Sequence, residues 1–139
     1  ICMNQKQLII RSLEHTYCRI QRSEIQGIGV HAIVNIPAGT PIFYAINERD
    51  WHTFSMDELE HLDDAVKKMI DDFYVIEKDN TVTIPEGALN QMDISYFLNH
   101  SKTPNLYTPD VGKTFITLRD ITKGEELTVD YATYDEKYA

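Results

Sequence analysis

The 139-residue sequence predicts one β-rich α+β domain, on three observations. Short runs of β-branched and aromatic residues recur along the chain, and turns containing Gly, Pro or Asn bound almost every one. A single longer segment, 55–75, carries a helical period instead. The length suffices for one buried core, and no internal repeat or low-complexity tract divides it. Several small sheets with one inserted helix satisfy all three.

In chain order, Leu8, Ile9 and Leu13 within 6–15 fit one face of a short helix, although so brief a run also fits a strand. Tyr17 to Gln21 alternates loosely, and the charged turn Arg22-Ser23-Glu24 leads into Gln26-Gly27-Ile28-Gly29. Val30-His31-Ala32-Ile33-Val34 is β-rich, Pro37-Ala38-Gly39-Thr40 is a turn, and Pro41-Ile42-Phe43-Tyr44-Ala45 is another strand, so the chain starts as an antiparallel meander. The helix over 55–75 rests on a Ser55/Glu58 capping box, acidic residues at the positive end of its dipole, and an apolar stripe of Met56, Leu59, Leu62, Val66, Met69, Ile70 and Phe73. In a chain this small that stripe covers a sheet, while His61 and its acidic neighbours form a solvated face.

Thr81-Val82-Thr83-Ile84 is a strand and Pro85-Glu86-Gly87 a turn. Tyr96-Phe97-Leu98, a strand or short helix, then delivers Asn99, His100 and Ser101 into the bend Lys102-Thr103-Pro104-Asn105. Leu106-Tyr107 and 113–118 form a hairpin around Pro109-Asp110-Val111-Gly112. Lys123-Gly124-Glu125-Glu126 turns the chain into a last strand, Leu127-Thr128-Val129.

A net charge of −9 argues against nucleic acid as a direct partner, because phosphate binding needs clustered Lys and Arg. It suits the capture of a basic peptide, and it also serves solubility alone. Cys2 and Cys18 are too few for a disulfide framework or a four-ligand zinc site, so a reduced, intracellular chain is expected. No run approaches the roughly 18 apolar residues of a membrane span, and Leu8-Ile9-Ile10 is too short for a signal peptide. The chain begins at Ile1 rather than Met, as a segment excised from a longer protein would.

Three ordered motifs carry the chemistry. Gly27-Ile28-Gly29 alone is a bend and not a dinucleotide fingerprint, since no third glycine opens a helix. Asn99-His100-Ser101-Lys102-Thr103-Pro104-Asn105 follows, and Gly124-Glu125-Glu126-Leu127-Thr128-Val129-Asp130-Tyr131 comes last. Together they resemble the SET domain, the fold of one class of protein-lysine methyltransferases, over roughly residues 17–134 of a single domain spanning 1–139. The resemblance implies small curled antiparallel sheets, a variable insert and a threaded C-terminal segment that brings Asn99 and His100 beside Tyr131.

It also implies S-adenosylmethionine as cofactor and S-adenosylhomocysteine as product. Backbone around Gln26, Gly27, Ile28 and Gly29 would approach the methionine end, the Asn99 amide the cofactor's polar end, and main-chain groups of His100 the adenine edge, with Tyr96, Tyr131 and Tyr134 as further wall. Tyr131 is the expected catalytic residue. Methyl transfer from a sulfonium to an amine needs alignment, a neutral lysine and a suitable field, but no enzyme nucleophile. A tyrosine hydroxyl can accept weak C–H contacts from the methyl and orient the nitrogen. The lysine, with an ordinary pKa of about 10.4, loses its proton more easily in an apolar channel near a sulfonium. Tyr107, Tyr44 and Val129 are the channel candidates; Val129 stands where many members carry Phe or Tyr, which leaves the number of methyl groups open.

The family's cysteine-rich zinc segment after this Tyr has no counterpart before Ala139, so no metal is expected. Tyr134 and Tyr138 folding back, a partner, or an open pocket are the ways to complete the cofactor wall. The expected substrate is a lysine-bearing protein, with a histone or histone-like basic tail as candidate. The compartment would then be nuclear, and otherwise cytoplasmic; target lysine and oligomeric state stay open. The rival reading keeps the fold as an inactive peptide-binding or scaffolding module, against which stands the joint presence of Gly27, Gly29, Asn99, His100 and Tyr131. A hydrolase finds no nucleophile elbow or metal-ligand helix here.

Overall fold

A computed structural model describes residues 4–44, 46 and 49–139 of the chain. They fall into two compact units, Ile1–Asn47 with Phe97–Ala139 and Glu48–Tyr96. Cys2 and Ala45 lie outside the described residues.

The first unit opens on α1 (Gln5–Glu14), where a capping box settles helix over strand: the Asn4 side chain accepts from the Gln7 amide and the Gln7 side chain from the Asn4 amide. No residue of α1 is buried, and Leu8, Ile9, Ile10 and Leu13 are exposed. β1 (Cys18–Arg22) and β2 (Ile28–Ala32) pair antiparallel, with Cys18 opposite Ala32 and Arg22 opposite Ile28. Gly27, at φ 52°, makes their turn possible, and its carbonyl accepts from the Ser23 amide at 2.8 Å. Pro41 and Phe43 make isolated bridges to Ile116 and Thr16 in place of the predicted strand, and Tyr44 sits in a turn.

The two-residue strand β5 (Asn99–His100) follows a 3-10 turn at Ile94–Phe97, and β6 (Leu106–Tyr107) pairs with β7 (Ile116–Thr117). This hairpin is shorter than the predicted 113–118 strand, because Asp110 Oδ1 takes the Thr114 amide at 2.6 Å and Thr108 Oγ1 takes the Gly112 amide at 2.8 Å. Side-chain acceptors thus claim amides that a longer ladder would use.

β8 (Glu126–Val129) inserts between β2 and β5, giving the order β1-β2-β8-β5. It runs antiparallel to β2, with Leu127 opposite Val30, and parallel to β5, with Thr128 opposite Asn99 and Val129 opposite His100. Val30, Ile36, Ile42, Leu98, Leu106, Ile121, Leu127 and Val129 are buried and form the core of this unit.

In the second unit β3 (Trp51–Ser55) pairs antiparallel with β4 (Thr81–Pro85). β3 has no counterpart among the predicted strands, though its Trp-His-Thr-Phe run is β-forming. The predicted continuous helix over 55–75 is divided. The Ser55/Glu58 capping box is present but starts only a 3-10 turn, Met56–Leu59. α2 (Asp64–Phe73) then begins afresh, with extended Asp63 as its cap accepting from the Ala65 amide. Met56, Leu59 and Leu62 pack with Phe54, Leu89 and Tyr96 against buried Ile70, Tyr74, Val82 and Ile84. Val66 and Met69, the middle of the predicted stripe, stay 36 % and 37 % exposed. No helix among the described residues is long and apolar enough to cross a membrane.

Burial pushes the Cys18 thiol up to about 12 and raises the phenols of Tyr74, Tyr96, Tyr131 and Tyr134. The folded chain therefore holds protons that the unfolded chain releases from about pH 8.5–10 upward. Stability from these groups is complete below that range and falls as pH rises through it. Thermal midpoints should accordingly be flat from pH 7 to about pH 8.5 and drop steadily above, with Cys18→Ala removing part of the slope; an unchanged midpoint at about pH 10.5 would contradict this.

Candidate active site

Asn99 sits at the centre of the first unit's polar groups. Leu98, 2 % exposed, anchors the backbone before it, and the parallel ladder to β8 fixes its direction. Its Nδ2 donates toward the carbonyls of Gln26 at 3.1 Å and Ile28 at 3.2 Å, Ser23 Oγ at 3.0 Å and Glu126 Oε2 at 2.9 Å. Two protons shared among four acceptors tie the β1–β2 turn to β5 and β8. The predicted contact of the Asn99 amide with a ligand's polar end is thereby narrowed to Oδ1, which takes no hydrogen bond among the described residues.

The glycines divide the work. A Cβ on Gly27 would meet nothing within 4 Å, so its role is the positive φ of the turn. A Cβ on Gly29 would stand 2.4 Å from Glu126 Oε2 and 3.1 Å from Asn99 Nδ2, so what its bareness accommodates is the protein's own polar pair. Ile28 between them is 52 % exposed and Gln26 is exposed.

Glu126 and Ser23 were not among the predicted site residues. The only local sign was the second Glu of Gly-Glu-Glu-Leu, which strand alternation sets opposite buried Leu127 and Val129. Ser23 Oγ donates to the Glu126 carboxylate, at 2.7 Å and 2.9 Å from its two oxygens, and accepts from the amides of Ile25 and Gln26. Asn105, read from sequence as a turn residue, is 6 % exposed and braces β8: its Nδ2 donates to the Glu126 carbonyl and its Oδ1 accepts from the Thr128 amide, both at 2.8 Å.

Tyr131 follows β8 directly. Its amide donates to His100 Nδ1 at 3.0 Å, so the neutral His100 ring carries its proton on Nε2. Asp130 caps the 3-10 turn Tyr131–Thr133 by accepting from the Ala132 amide, and its Oδ1 lies 3.7 Å from His100 Nδ1 and 3.6 Å from Lys102 Nζ. The Tyr131 hydroxyl donates to the Leu98 carbonyl at 2.5 Å. Burial, and secondarily the nearby Tyr138 phenol, raise its pKa, so the hydroxyl is neutral across the physiological range.

Aromatic rings surround this hydroxyl-bearing residue. Tyr131 lies 5.1 Å from His100, 6.0 Å from Tyr134 and 5.0 Å from Tyr138 between ring centroids, and Tyr138 stacks over His100 at 6.3 Å. Tyr134 also packs edge-on to Phe115 at 6.2 Å. The C-terminal residues thus fold back onto His100 and Tyr131.

The other candidates are more dispersed. Tyr107 is 41 % exposed on β6, and Tyr44 stacks on His15 at 4.6 Å. Val129 is 1 % exposed and belongs to the core, leaving almost none of its surface open to a ligand. Tyr96 packs in the second unit, edge-on to Tyr74 at 5.7 Å. Among the described residues no group of three or more His, Cys, Asp or Glu is placed to hold a metal ion.

Comparison with known proteins bears on this arrangement. The chain is 34 % identical over 120 residues to the H3 lysine-4 specific histone-lysine N-methyltransferase of Emericella nidulans, covering 81 % of this chain and 9 % of that protein. It is 28 % identical over 128 residues to the histone-lysine N-methyltransferase Set2 of Drosophila melanogaster, covering 82 % of this chain and 5 % of that one. The chain therefore spans less than a tenth of the length of these relatives. A crystal structure of a Plasmodium falciparum protein assigned as a histone methyltransferase superposes with a TM-score of 0.55 over 84 % of this chain and 93 % of that one; at 18 % identity the likeness shows the fold. The small sheets and the inserted helical segment are thus those that the motifs led us to expect. The SET domain family model matches residues 27–132, from Gly27 to one residue beyond Tyr131, and the chain belongs to that family.

Proposed function

We propose that the chain transfers a methyl group from S-adenosylmethionine to the side-chain amine of a lysine in a protein. The observation that carries the proposal is the Tyr131 hydroxyl: its proton is committed to the Leu98 carbonyl, so its oxygen is left as an acceptor among the His100, Tyr134 and Tyr138 rings. The surroundings fit the cofactor. Asn99 Oδ1 suits an ammonium, the turn at Gln26, Gly27, Ile28 and Gly29 is open on the Gly27 side, and aromatic faces suit a sulfonium and an adenine ring. When bound, S-adenosylmethionine supplies a methyl group activated by its sulfonium.

Tyr131 does not act as a base, because its raised pKa keeps the phenol neutral. It aligns: the oxygen accepts weak C–H contacts and an N–H from the incoming amine, while the Leu98 carbonyl holds the ring in place. His100 supports it through the Tyr131 amide, and the backbone of His100 is the assigned adenine edge. Tyr134 and Tyr138 shield the site from water, Tyr107 and Tyr44 supply exposed aromatic surface for the lysine stem, and Val129 acts behind the walls. The degree of methylation is not assigned.

A basic histone tail is the substrate class we favour, on the names of the relatives and on the net charge of −9, which attracts a cationic peptide. Action on histones would place the protein in the nucleus. Calorimetric titration of the chain with S-adenosylmethionine and with S-adenosylhomocysteine tests the cofactor half of the reading. Saturable one-to-one binding of both is expected, and absence of binding to either would overturn it.

A further inference from the structure

The Ser23–Glu126 pair joins residues 103 positions apart, and it meets at the turn to which the cofactor is assigned. We infer that Glu126 is a positioning residue for cofactor binding: its carboxylate, latched by Ser23, holds both the 23–28 turn and the Asn99 carboxamide in their binding geometry. The inference rests on the cofactor assignment made above and deepens it.

Both carboxylate oxygens face Ser23, and one of them also holds Asn99. Oε1 lies 2.7 Å from Ser23 Oγ, and Oε2 lies 2.9 Å from Ser23 Oγ and takes Asn99 Nδ2 at 2.9 Å. The Ser23 oxygen collects the amides of Ile25 at 2.9 Å and Gln26 at 3.2 Å, so the carboxylate's hold reaches the backbone of the turn through one hydroxyl. Drawing in Nδ2 also decides which way the Asn99 amide faces, and leaves Oδ1 as the atom with no hydrogen bond among the described residues. Gly29 completes the fit, since the Glu126 carboxylate stands where its side chain would be. The Glu126 side chain is 13 % exposed, and a carboxylate so enclosed is held by charge-assisted hydrogen bonds that are stronger than neutral ones.

Glu126→Gln keeps the shape but loses the charge and one acceptor. With its oxygen in the Oε2 place, Ser23 and Asn99 keep only a neutral acceptor, and the NH2 faces a hydroxyl oxygen that already accepts the amides of Ile25 and Gln26; in the opposite orientation the NH2 faces the Asn99 NH2. Neither carboxylate nor hydroxyl touches the reacting atoms in this assignment. Their loss should therefore weaken ground-state and transition-state binding of the cofactor alike, raising KM and leaving kcat.

The test is steady-state kinetics and calorimetry on the wild type, Glu126→Gln, Ser23→Ala, Ser23→Thr and the Glu126→Gln/Ser23→Ala double variant, using S-adenosylmethionine and a histone-tail peptide. Glu126→Gln and Ser23→Ala are each expected to raise the Kd and KM for S-adenosylmethionine about tenfold to a hundredfold, as loss of charge-assisted hydrogen bonds predicts. kcat at saturating cofactor and KM for the peptide should hold. Ser23→Thr should restore most of the affinity, and the double variant should cost little more than either single one. Wild-type binding with unchanged affinity in Glu126→Gln would overturn the latch and spare the cofactor assignment. A uniform fall in kcat with a raised peptide KM would also overturn it, since that marks general disruption. A wild type that binds no cofactor would remove the assignment itself.

Discussion

Tyr131→Phe is expected to lower kcat by about a hundredfold to a thousandfold while leaving the affinity for S-adenosylmethionine within a few-fold of the wild type, the usual loss when one preorganised polar group is removed from a reacting centre. The substitution deletes the one oxygen that the Leu98 hydrogen bond holds as an acceptor, and it keeps the ring that packs on His100, Tyr134 and Tyr138. It also leaves the Leu98 carbonyl without its phenol donor, at about 1 kcal/mol of stability. Single-turnover kinetics separate the two effects: a stability loss alone shifts the thermal midpoint, whereas loss of alignment shows in the methyl-transfer rate of fully folded protein. A variant with wild-type kcat would remove Tyr131 from the chemistry.

Gly29→Ala should be strongly destabilising. The new Cβ would stand 2.4 Å from Glu126 Oε2 and 2.9 Å from its carboxyl carbon, and that side chain cannot swing away without releasing Ser23 and Asn99. Overpacking costs about 1–3 kcal/mol, and the broken charge-assisted hydrogen bonds add a comparable amount. Against a total of about 5–15 kcal/mol the loss is severe. Gly27→Ala is the internal control. It meets no neighbour within 4 Å and incurs only the left-handed backbone penalty, about 1–2 kcal/mol. Urea denaturation should rank wild type, Gly27→Ala and Gly29→Ala in that order of midpoint. Equal losses at the two glycines would mean that Glu126 yields freely.

The residues of the site also mark how far the sequence could be read. Tyr131, Asn99 and His100 were legible because consecutive residues in two ordered motifs carry them, and the pairing of β5 with β8 then brings the motifs together. Ser23 was read only as part of a charged turn, since nothing local ties it to a carboxylate 103 residues away. The strands at 99–100, 106–107 and 116–117 hold two residues each, too few to show a period of two. The helical segment failed differently. Its apolar spacing is real, but Asp63 is a better cap than an interior helix residue, and its side chain takes the amide of Ala65 to restart the helix at Asp64. Local competition of that kind is weaker in sequence than the seven-residue stripe that hides it. Tyr138 went from a suggested wall residue to a ring packed against both His100 and Tyr131, which only the folded C-terminus reveals.

The measurement that bears most directly on the proposed activity is transfer of isotope-labelled methyl from S-adenosylmethionine to histone-tail peptides, with each lysine replaced in turn by arginine. Label on a lysine side chain, lost on replacing that lysine and lost in Tyr131→Phe, is the predicted result. Cofactor binding by calorimetry without label on any basic peptide or histone would contradict it, and would favour a SET fold retained for binding alone.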